Sequence, residues 1–271
     1  MTDTTQLDDQ SAASSTGEPC PMNVIAPHRT VDGDRSPGRP LPTVGRGGVV
    51  PYIATWSGER KPPVRVMGHA WGGIAFADET AGDRDSDGIL WTRITSQPGC
   101  GRPQFAVIHS LRQRRAMRRV LCQVCGQPAD RNPEGVLWLL PDYYRRHDGP
   151  ENYDITEPPI CLPCAPIAIR LCPALRNGYI AVRVRDAPVC GVKGLVYRAG
   201  QPAPVLIQEE LVHIASPAIR WTLADQLLRT LQDCTPVDLD HLDCVDRDPQ
   251  TSEDQHVKAV RQRTGTQQPE P

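Results

Sequence analysis

Two short stretches decide the fold of this chain: Cys122-Gln-Val-Cys125-Gly126 and Ile160-Cys161-Leu-Pro-Cys164-Ala165. Each stretch carries a Cys-x-x-Cys pair, and 35 residues separate the two pairs. A tight turn within a pair brings both sulfurs onto one metal ion, and four thiolates satisfy tetrahedral zinc and leave no open position. The two pairs therefore predict one structural zinc ion held by Cys122, Cys125, Cys161 and Cys164.

The residues around the two pairs favour zinc over other uses of the thiols. Gly126 directly follows the first pair, as in a turn whose backbone amides curl around sulfur. The second pair opens a predicted helix, where free N–H groups and the helix dipole favour thiolates. A redox-active or merely buried pair would explain one Cys-x-x-Cys but not two. The other six cysteines show no partner spacing and receive no role: Cys20, Cys100, Cys172, Cys190, Cys234 and Cys244.

Composition argues against several classes of protein. The net charge is −2, so the whole chain is not an obvious polyanion binder. No apolar run is long enough to span a membrane, and the N-terminus lacks the apolar segment that a secretory signal needs. Ten cysteines without a signal predict thiols and metal ligands rather than disulfides, and hence a cytoplasmic protein.

The chain divides by composition into two predicted tails and one folded region. Residues 1–45 and 245–271 are rich in polar residues and lack hydrophobic periodicity, so we expect both to be disordered. Residues 46–244 are expected to form a single α+β domain of mainly antiparallel strands. We expect a zinc-binding treble clef at 110–176, in the middle of this domain, and a helix at the domain's C-terminal end.

Hydrophobic periodicity places the elements of the domain. Two helices are predicted beside the cysteine pairs, at 110–121 and 165–175. A third helix is predicted from Ser216, which can cap it, because apolar residues then recur at spacings of four: Ile219, Leu223, Leu227 and Leu231. Strands are predicted at 49–56, 64–67, 179–184, 192–197 and 204–214. Residues 72–77 and 89–94 are predicted to be the two arms of a hairpin.

Five arginines fall within eight residues of the first predicted helix, with no acidic residue among them: Arg112, Arg114, Arg115, Arg118 and Arg119. On a helical wheel Arg112, Arg115 and Arg119 share one face. Because guanidinium groups pair bidentately with phosphate, this face predicts contacts with nucleic acid. A solvated face, or one that pairs with acidic neighbours such as Glu209 and Glu210, is the alternative.

A knuckle, a β-hairpin and a second knuckle that opens a helix is the layout of a treble clef. The run from Arg112 to Gly126 resembles the start of an HNH endonuclease domain, in which a basic helix leads into the first cysteine pair. Residues 160–165 resemble the later HNH segment, in which a cysteine pair begins the final helix. The likeness covers residues 110–175. The whole chain also resembles proteins of high-GC Gram-positive bacteria, which implies no function.

The sequence departs from the HNH pattern at the residues that carry the chemistry. An HNH enzyme needs a histidine between the knuckles to activate water, and usually a second to hold a catalytic metal. Here residues 136–141 read Val-Leu-Trp-Leu-Leu-Pro where the family has its Asp-His pair. Ala165 stands where the family often has histidine, and His147, in a polar loop, is the one histidine between the pairs. No catalytic residue is therefore assigned.

A second pattern, Asp83-x-Asp85-x-Asp87-Gly88, matches the first half of a calcium-binding loop. Alternating oxygen ligands and a glycine at the sharp turn are what such a loop needs. However, Ile94 occupies the twelfth position, where a bidentate glutamate should complete the coordination shell. An acidic hairpin loop is therefore the preferred interpretation.

Three functions remain open from the sequence. The leading hypothesis is a non-catalytic zinc-binding protein with an HNH-like treble clef, which acts through contacts with nucleic acid or another protein. The first alternative is a metal-dependent HNH-type endonuclease that uses His147 and neighbouring acidic residues. The second alternative is a structural zinc clamp in a protein–protein adaptor. The sequence does not define the oligomeric state.

Overall fold

The computed structural model describes Val44–Gly45, residues 48–147 and residues 150–239. Within these ranges the chain is α+β, with mostly antiparallel strands and few helices, as predicted. No helix in the described ranges combines the length and the hydrophobicity that a membrane span requires. The predicted tail at 245–271 lies outside the described residues. The other predicted tail does too, except for its last two residues, Val44–Gly45, which form a short strand.

The strands are numbered here in chain order. They are β1 (Val44–Gly45), β2 (Gly48–Val49), β3 (Ala54–Trp56), β4 (Val66–Gly68), β5 (Ile74–Phe76), β6 (Leu90–Trp91), β7 (Pro103–Ile108), β8 (Arg131–Asn132), β9 (Gly135–Pro141), β10 (Asp154–Ile155), β11 (Tyr179–Asp186), β12 (Val189–Arg198), β13 (Val205–His213), β14 (Thr222–Thr230) and β15 (Gln232–Val237). The α-helices are α1 (Ser110–Arg119) and α2 (Ala165–Leu171). Short 3-10 segments cover Asp142–His147, Leu162–Cys164, Pro173–Leu175 and Pro217–Trp221.

Two sheets form the body of the described structure. The four-stranded sheet has the order β15-β11-β9-β8 and is antiparallel throughout. The five-stranded sheet has the order β10-β14-β12-β13, and β6 pairs in parallel with β14. Strand β9 is buried along its whole length and separates two parts of the core. Leu137 and Leu139 pack with the cysteines, whereas Val136, Trp138 and Leu140 pack on the opposite face.

Helix α1 begins and ends close to where the sequence predicted. His109 caps it, because its ring Nδ1 accepts a hydrogen bond from the backbone N–H of Arg112 at 3.3 Å. The helix is fixed to β14 by Gln113, whose amide group donates to the carbonyl of Leu227 and accepts from its N–H. Val120, with a left-handed φ of 53°, ends the helix and turns the chain toward the first cysteine pair.

The predicted hairpin between residues 72–77 and 89–94 is wrong. Strand β5 instead pairs with β4, so the two arms of that hairpin come from residues 66–68 and 74–76. Strand β6 joins the five-stranded sheet through Leu223 and Ala224 of β14. Strand β5 thus pairs with the strand directly before it, whereas β6 pairs with a strand distant in sequence, so the two apolar runs do not pair with each other.

The predicted C-terminal helix is also wrong. Ser216 does cap a turn, since its hydroxyl accepts a hydrogen bond from the N–H of Ala218, but the turn ends at Trp221. Residues 222–230 then continue as strand β14. A spacing of four would place Leu223 and Leu227 on one face of a helix, but the register of β14 with β12 shifts between Ala224 and Gln226, and the two leucines pack in different core clusters. The four residues of the predicted stripe are buried or half-buried, but they pack in three separate clusters rather than along one face.

Candidate metal centre

The first cysteine pair lies in a tight turn directly after helix α1. The N–H of Cys122 donates to the carbonyl of Gln127 at 2.7 Å, and the N–H of Gly126 donates back to the carbonyl of Cys122 at 2.8 Å. The backbone N–H of Val124 also points at the sulfur of Cys122, with an N–S distance of 3.4 Å. These bonds curl the backbone around the sulfur of Cys122 and direct an amide N–H at it.

Gly126 is required by this turn for two reasons. Its φ is +71°, a left-handed conformation that residues with a side chain rarely adopt. A Cβ at this position would also lie 2.8 Å from the ring of Tyr52, which is too close for any real contact. Tyr52 itself donates its N–H to the carbonyl of Val124 at 2.9 Å, so the segment before β3 packs against the turn.

The second cysteine pair lies where a 3-10 segment runs into helix α2. The N–H of Cys164 donates to the carbonyl of Cys161 at 2.9 Å, which closes the turn between them. The preceding residues connect the two pairs, because Ile160 donates to Leu137 of β9 and the N–H of Gln123 donates to Pro159. The sequence prediction that this pair opens a helix is confirmed, although the helix ends at Leu171.

The four sulfurs converge on one point. All four lie within 4.8 Å of one another, and those of Cys125 and Cys161 are 3.7 Å apart. Tetrahedral zinc with sulfur at about 2.3 Å requires sulfur–sulfur distances of about 3.8 Å. Cys122, Cys161 and Cys164 are buried and Cys125 is half-buried, among apolar residues such as Leu139. The group could hold a metal ion, and zinc suits its four thiol ligands.

The thiols also influence one another's protons. Hydrogen bonds with Cys122 and Cys164 lower the pKa of Cys161 far below its usual range. The same contact with Cys161 raises the pKa of Cys122 to about 12, and contacts with both cysteines raise the pKa of Cys164. Thiols at such short distances could bind a soft divalent cation in exchange for their protons.

Strand β9 carries no acid or base at the position that the sequence resemblance aligns with the Asp-His pair of HNH enzymes. Trp138 is buried and donates its indole N–H to the carbonyl of Glu157 at 3.0 Å. Leu139 is buried against the cysteine cluster. Neither side chain can take a proton from water, and no histidine side chain is described on this strand.

Arg112 is not available to bind phosphate, which corrects the predicted arginine face. It is buried, and its guanidinium forms a bidentate pair with Glu59 at 2.5 and 2.7 Å. It also donates to the carbonyl of Ala54 at 2.5 Å. The sequence could not show this, because Glu59 lies 53 residues before Arg112. The helical wheel grouped Arg112 with residues that point to solvent.

Of the other four arginines of α1, two contact other side chains and two are exposed without an ion pair in the described ranges. Arg114 lies over the ring of Trp91, 4.4 Å from its centre. Arg118 pairs with Asp85 and Asp87, not with the acidic residues Glu209 and Glu210 considered from the sequence. Arg115 and Arg119 are exposed and form no ion pair with any residue in the described ranges. They are the members of the predicted face that could reach a phosphate.

The acidic loop does not have the geometry of a calcium site. Asp83 is buried, and its carboxylate accepts hydrogen bonds from Thr80 and a bidentate pair from Arg93. The bonds from Arg93 hold the pKa of Asp83 well below its usual range. Asp85 accepts from the indole N–H of Trp91 at 2.7 Å and from two backbone amides of its own turn. The oxygens that calcium would need are occupied by N–H donors.

The fold brings together a second group that sequence reasoning missed. Ligand atoms of Asp154, Cys190 and His213 lie within 4.8 Å of one another. The three residues come from β10, β12 and β13, and no short motif connects them. Only the order of strands in the five-stranded sheet could have shown this group.

Comparison of the chain with family models, with curated proteins and with solved structures finds no match.

Proposed function

We propose that this chain is a zinc-binding protein whose HNH-like treble clef is a structural clamp rather than a nuclease centre, and that it acts by contacting a macromolecule. The observation that carries the proposal is the convergence of four buried or half-buried sulfurs within 4.8 Å. Four thiolates fill the coordination of zinc and leave no position for a substrate or a reactive water.

Two further observations support a structural role. The cysteine turns connect the end of α1, strand β9 and the start of α2 through backbone hydrogen bonds. A metal held by both turns would therefore fix three segments at once. In addition, the strand at the HNH Asp-His position has buried apolar side chains on both faces. The proposed treble clef thus has four thiol ligands that link separate segments, as a structural clamp requires, but no acid or base that could activate water for hydrolysis.

The test of the clamp is the zinc content and stability of the full chain. We expect about one zinc per chain bound by the four cysteines, and Cys161→Ser should release it and lower the midpoint of thermal unfolding. Cys172→Ser is the matched control, because Cys172 lies at the end of α2 outside the four-sulfur group. If Cys161→Ser retains its zinc and its stability, the clamp is wrong.

Nucleic acid is the partner that the exposed residues of α1 favour. Arg115 and Arg119 are one helical turn apart and carry no ion pair within the described ranges, so both guanidinium groups are free to meet phosphates. They lie in the turns of α1 that lead into the first cysteine pair. The clamp would hold the C-terminal end of this helix in a fixed orientation.

Salt dependence tests this contact. If both arginines bind phosphates, changing both to alanine should weaken DNA binding and reduce the salt slope by about 2. The control is Arg65→Ala with Arg198→Ala, two exposed arginines outside α1, which should leave the slope unchanged. No binding by the wild-type chain at low salt would exclude nucleic acid and leave the protein–protein adaptor.

The nuclease alternative has its own test. His147 ends the segment Asp142–His147, and its side chain lies outside the described part of the structure. Plasmid nicking that needs a divalent metal and disappears with His147→Ala would overturn the proposal that the treble clef is not catalytic. We expect the wild-type chain to show no such nicking.

A further inference from the structure

We propose that Asp154, Cys190 and His213 form a second metal site, which binds zinc or a similar divalent transition metal and keeps a coordination position open. The sulfur of Cys190 lies 3.3 Å from one carboxylate oxygen of Asp154. The Nε2 of His213 lies 2.9 Å from the other. Three ligand atoms of three chemical types therefore face one another on the five-stranded sheet.

The sheet itself places these three side chains. Asp154 lies opposite Thr230, at the end where β10 pairs with β14. Cys190 is the extra residue of a bulge, because Val189 pairs with Arg229 while Gly191 already pairs with Leu228. His213 lies opposite Gly191 on the neighbouring strand. A bulge redirects the side chain of its extra residue, which here brings the thiol of Cys190 to the carboxylate.

The outer contacts resemble those that orient metal ligands. Thr230 donates its hydroxyl hydrogen to the same Asp154 oxygen that lies near the thiol, at 2.6 Å. Second-shell bonds of this kind fix the orientation of a carboxylate ligand. The N–H of Ile214 donates to the carbonyl of Cys190 at 2.9 Å, so the backbone of the bulge is also held. The three ligands are thus positioned by the fold.

The ligand types indicate the class of metal. Thiolate, imidazole and carboxylate together suit zinc, cobalt and related ions, whereas magnesium and calcium prefer oxygen alone. Three protein ligands with one open position is the arrangement of catalytic zinc sites, in contrast to a closed four-cysteine site. The side chain of Asp154 is 21% exposed and that of His213 is 59% exposed, so an ion and a small ligand can enter from solvent.

The two sites can be distinguished in the full chain with cobalt. The protein is first loaded with one equivalent of zinc, which the four cysteines bind, and Co²⁺ is then added. We expect a second equivalent to bind with a sulfur-to-cobalt charge-transfer band. Cys190→Ser should abolish this band, and His213→Ala should weaken binding roughly tenfold or more. Thr230→Val, which removes only the second-shell bond, should weaken binding by about tenfold.

The controls separate this proposal from loss of folding and from failure of the clamp. Cys234→Ser and His69→Ala change a cysteine and an exposed histidine outside the group, and should bind cobalt as the wild type does. Circular dichroism of each variant should match the wild type. If the clamp proposal is wrong, Cys161→Ser will keep its zinc and its stability. The cobalt band that depends on Cys190 should still appear in that case. If no second equivalent binds, or if it binds equally well to Cys190→Ser, the second site is wrong.

Discussion

The two candidate metal groups lie in parts of the molecule that are built differently. The four cysteines lie in two turns and at the start of α2, which has only seven residues, and they pack against one face of β9. Asp154, Cys190 and His213 lie on the five-stranded sheet, whose strands β12 and β14 have ten and nine residues. Short segments bury too little surface to hold themselves together, so a metal that joins them contributes directly to folding.

This difference indicates where a closed structural metal site and an open metal site can each form. In the cysteine turns a metal would supply links that the backbone pairing does not, and four thiolate ligands would leave its coordination closed. In the five-stranded sheet the backbone pairing and the helix α1 already fix the structure. Ligands there are not needed for stability, so a coordination position can stay open. This contrast predicts that the two regions respond differently to the same treatments.

Removal of metal should produce the largest difference. A strong chelator should raise amide hydrogen exchange roughly 10,000-fold or more in α2 and in the preceding 3-10 segment Leu162–Cys164, because the metal that joins them to the first cysteine turn is lost. Exchange in β12 and β14 should change much less, since these strands are held by their own pairing. Hydrogen exchange measured by mass spectrometry on the full chain would show both. Equal acceleration in all four elements would mean that the two regions unfold as one unit.

The next largest effect should come from the buried ion pair that holds α1. Glu59 has a fully buried side chain, and it pairs with Arg112 and accepts the backbone N–H groups of Trp56 and Gln97. Burial raises the pKa of Glu59, but the bonds from Arg112 and the two amides outweigh it, so the pKa lies below the ordinary value. Glu59→Ala would leave a buried guanidinium without its partner and should cost about 3–5 kcal/mol.

Urea unfolding of the full chain measures this cost. The matched control is Asp87→Ala, which removes an exposed partner of Arg118 and should cost less than about 1 kcal/mol. Zinc content should stay unchanged in both variants, because neither residue belongs to the cysteine group. A Glu59→Ala variant that also loses zinc would show that α1 and the metal region are not independent.

The sequence predicted what depends on short spacing. The two Cys-x-x-Cys turns, a helix within the predicted range 110–121 and the start of α2 are all set by neighbouring residues, and the structure confirms them, with α1 ending at Arg119. Strand β14 was missed because its residues form helices equally well on their own. Pairing with β12 on one side and with β6 and β10 on the other selects the strand.

The candidate site residues also show that contacts between distant parts of the sequence could not be predicted from spacing. Arg112 could be placed on a helix from the sequence, but its burial depends on Glu59, which is brought close only by the folded chain. Cys190 has no partner within short sequence distance, and its neighbours Asp154 and His213 are 36 residues before it and 23 after it. A side-chain group that is brought together by the order of strands in a sheet cannot be predicted from residue spacing, whereas a group within one turn can.

The smallest effect should separate backbone strain from packing at the cysteine turn. Gly126 and Gly88 have nearly the same φ, +71° and +75°, but a Cβ at Gly126 would meet the ring of Tyr52 while a Cβ at Gly88 would meet nothing within 4 Å. Gly88→Ala should therefore cost only the left-handed strain, about 1–2 kcal/mol. Gly126→Ala should cost about 1–3 kcal/mol more, because the ring must move.

A double-mutant cycle in urea isolates the part due to the ring. In a Tyr52→Ala background the total cost of Gly126→Ala should fall toward that of Gly88→Ala, because the obstructing atoms are gone. The cost of Gly88→Ala should be the same in both backgrounds. If Gly126→Ala costs no more than Gly88→Ala in the wild-type background, Tyr52 does not pack tightly on the turn. Packing of Tyr52 would then contribute little to the first cysteine turn, and the metal and the backbone bonds would account for more of its stability.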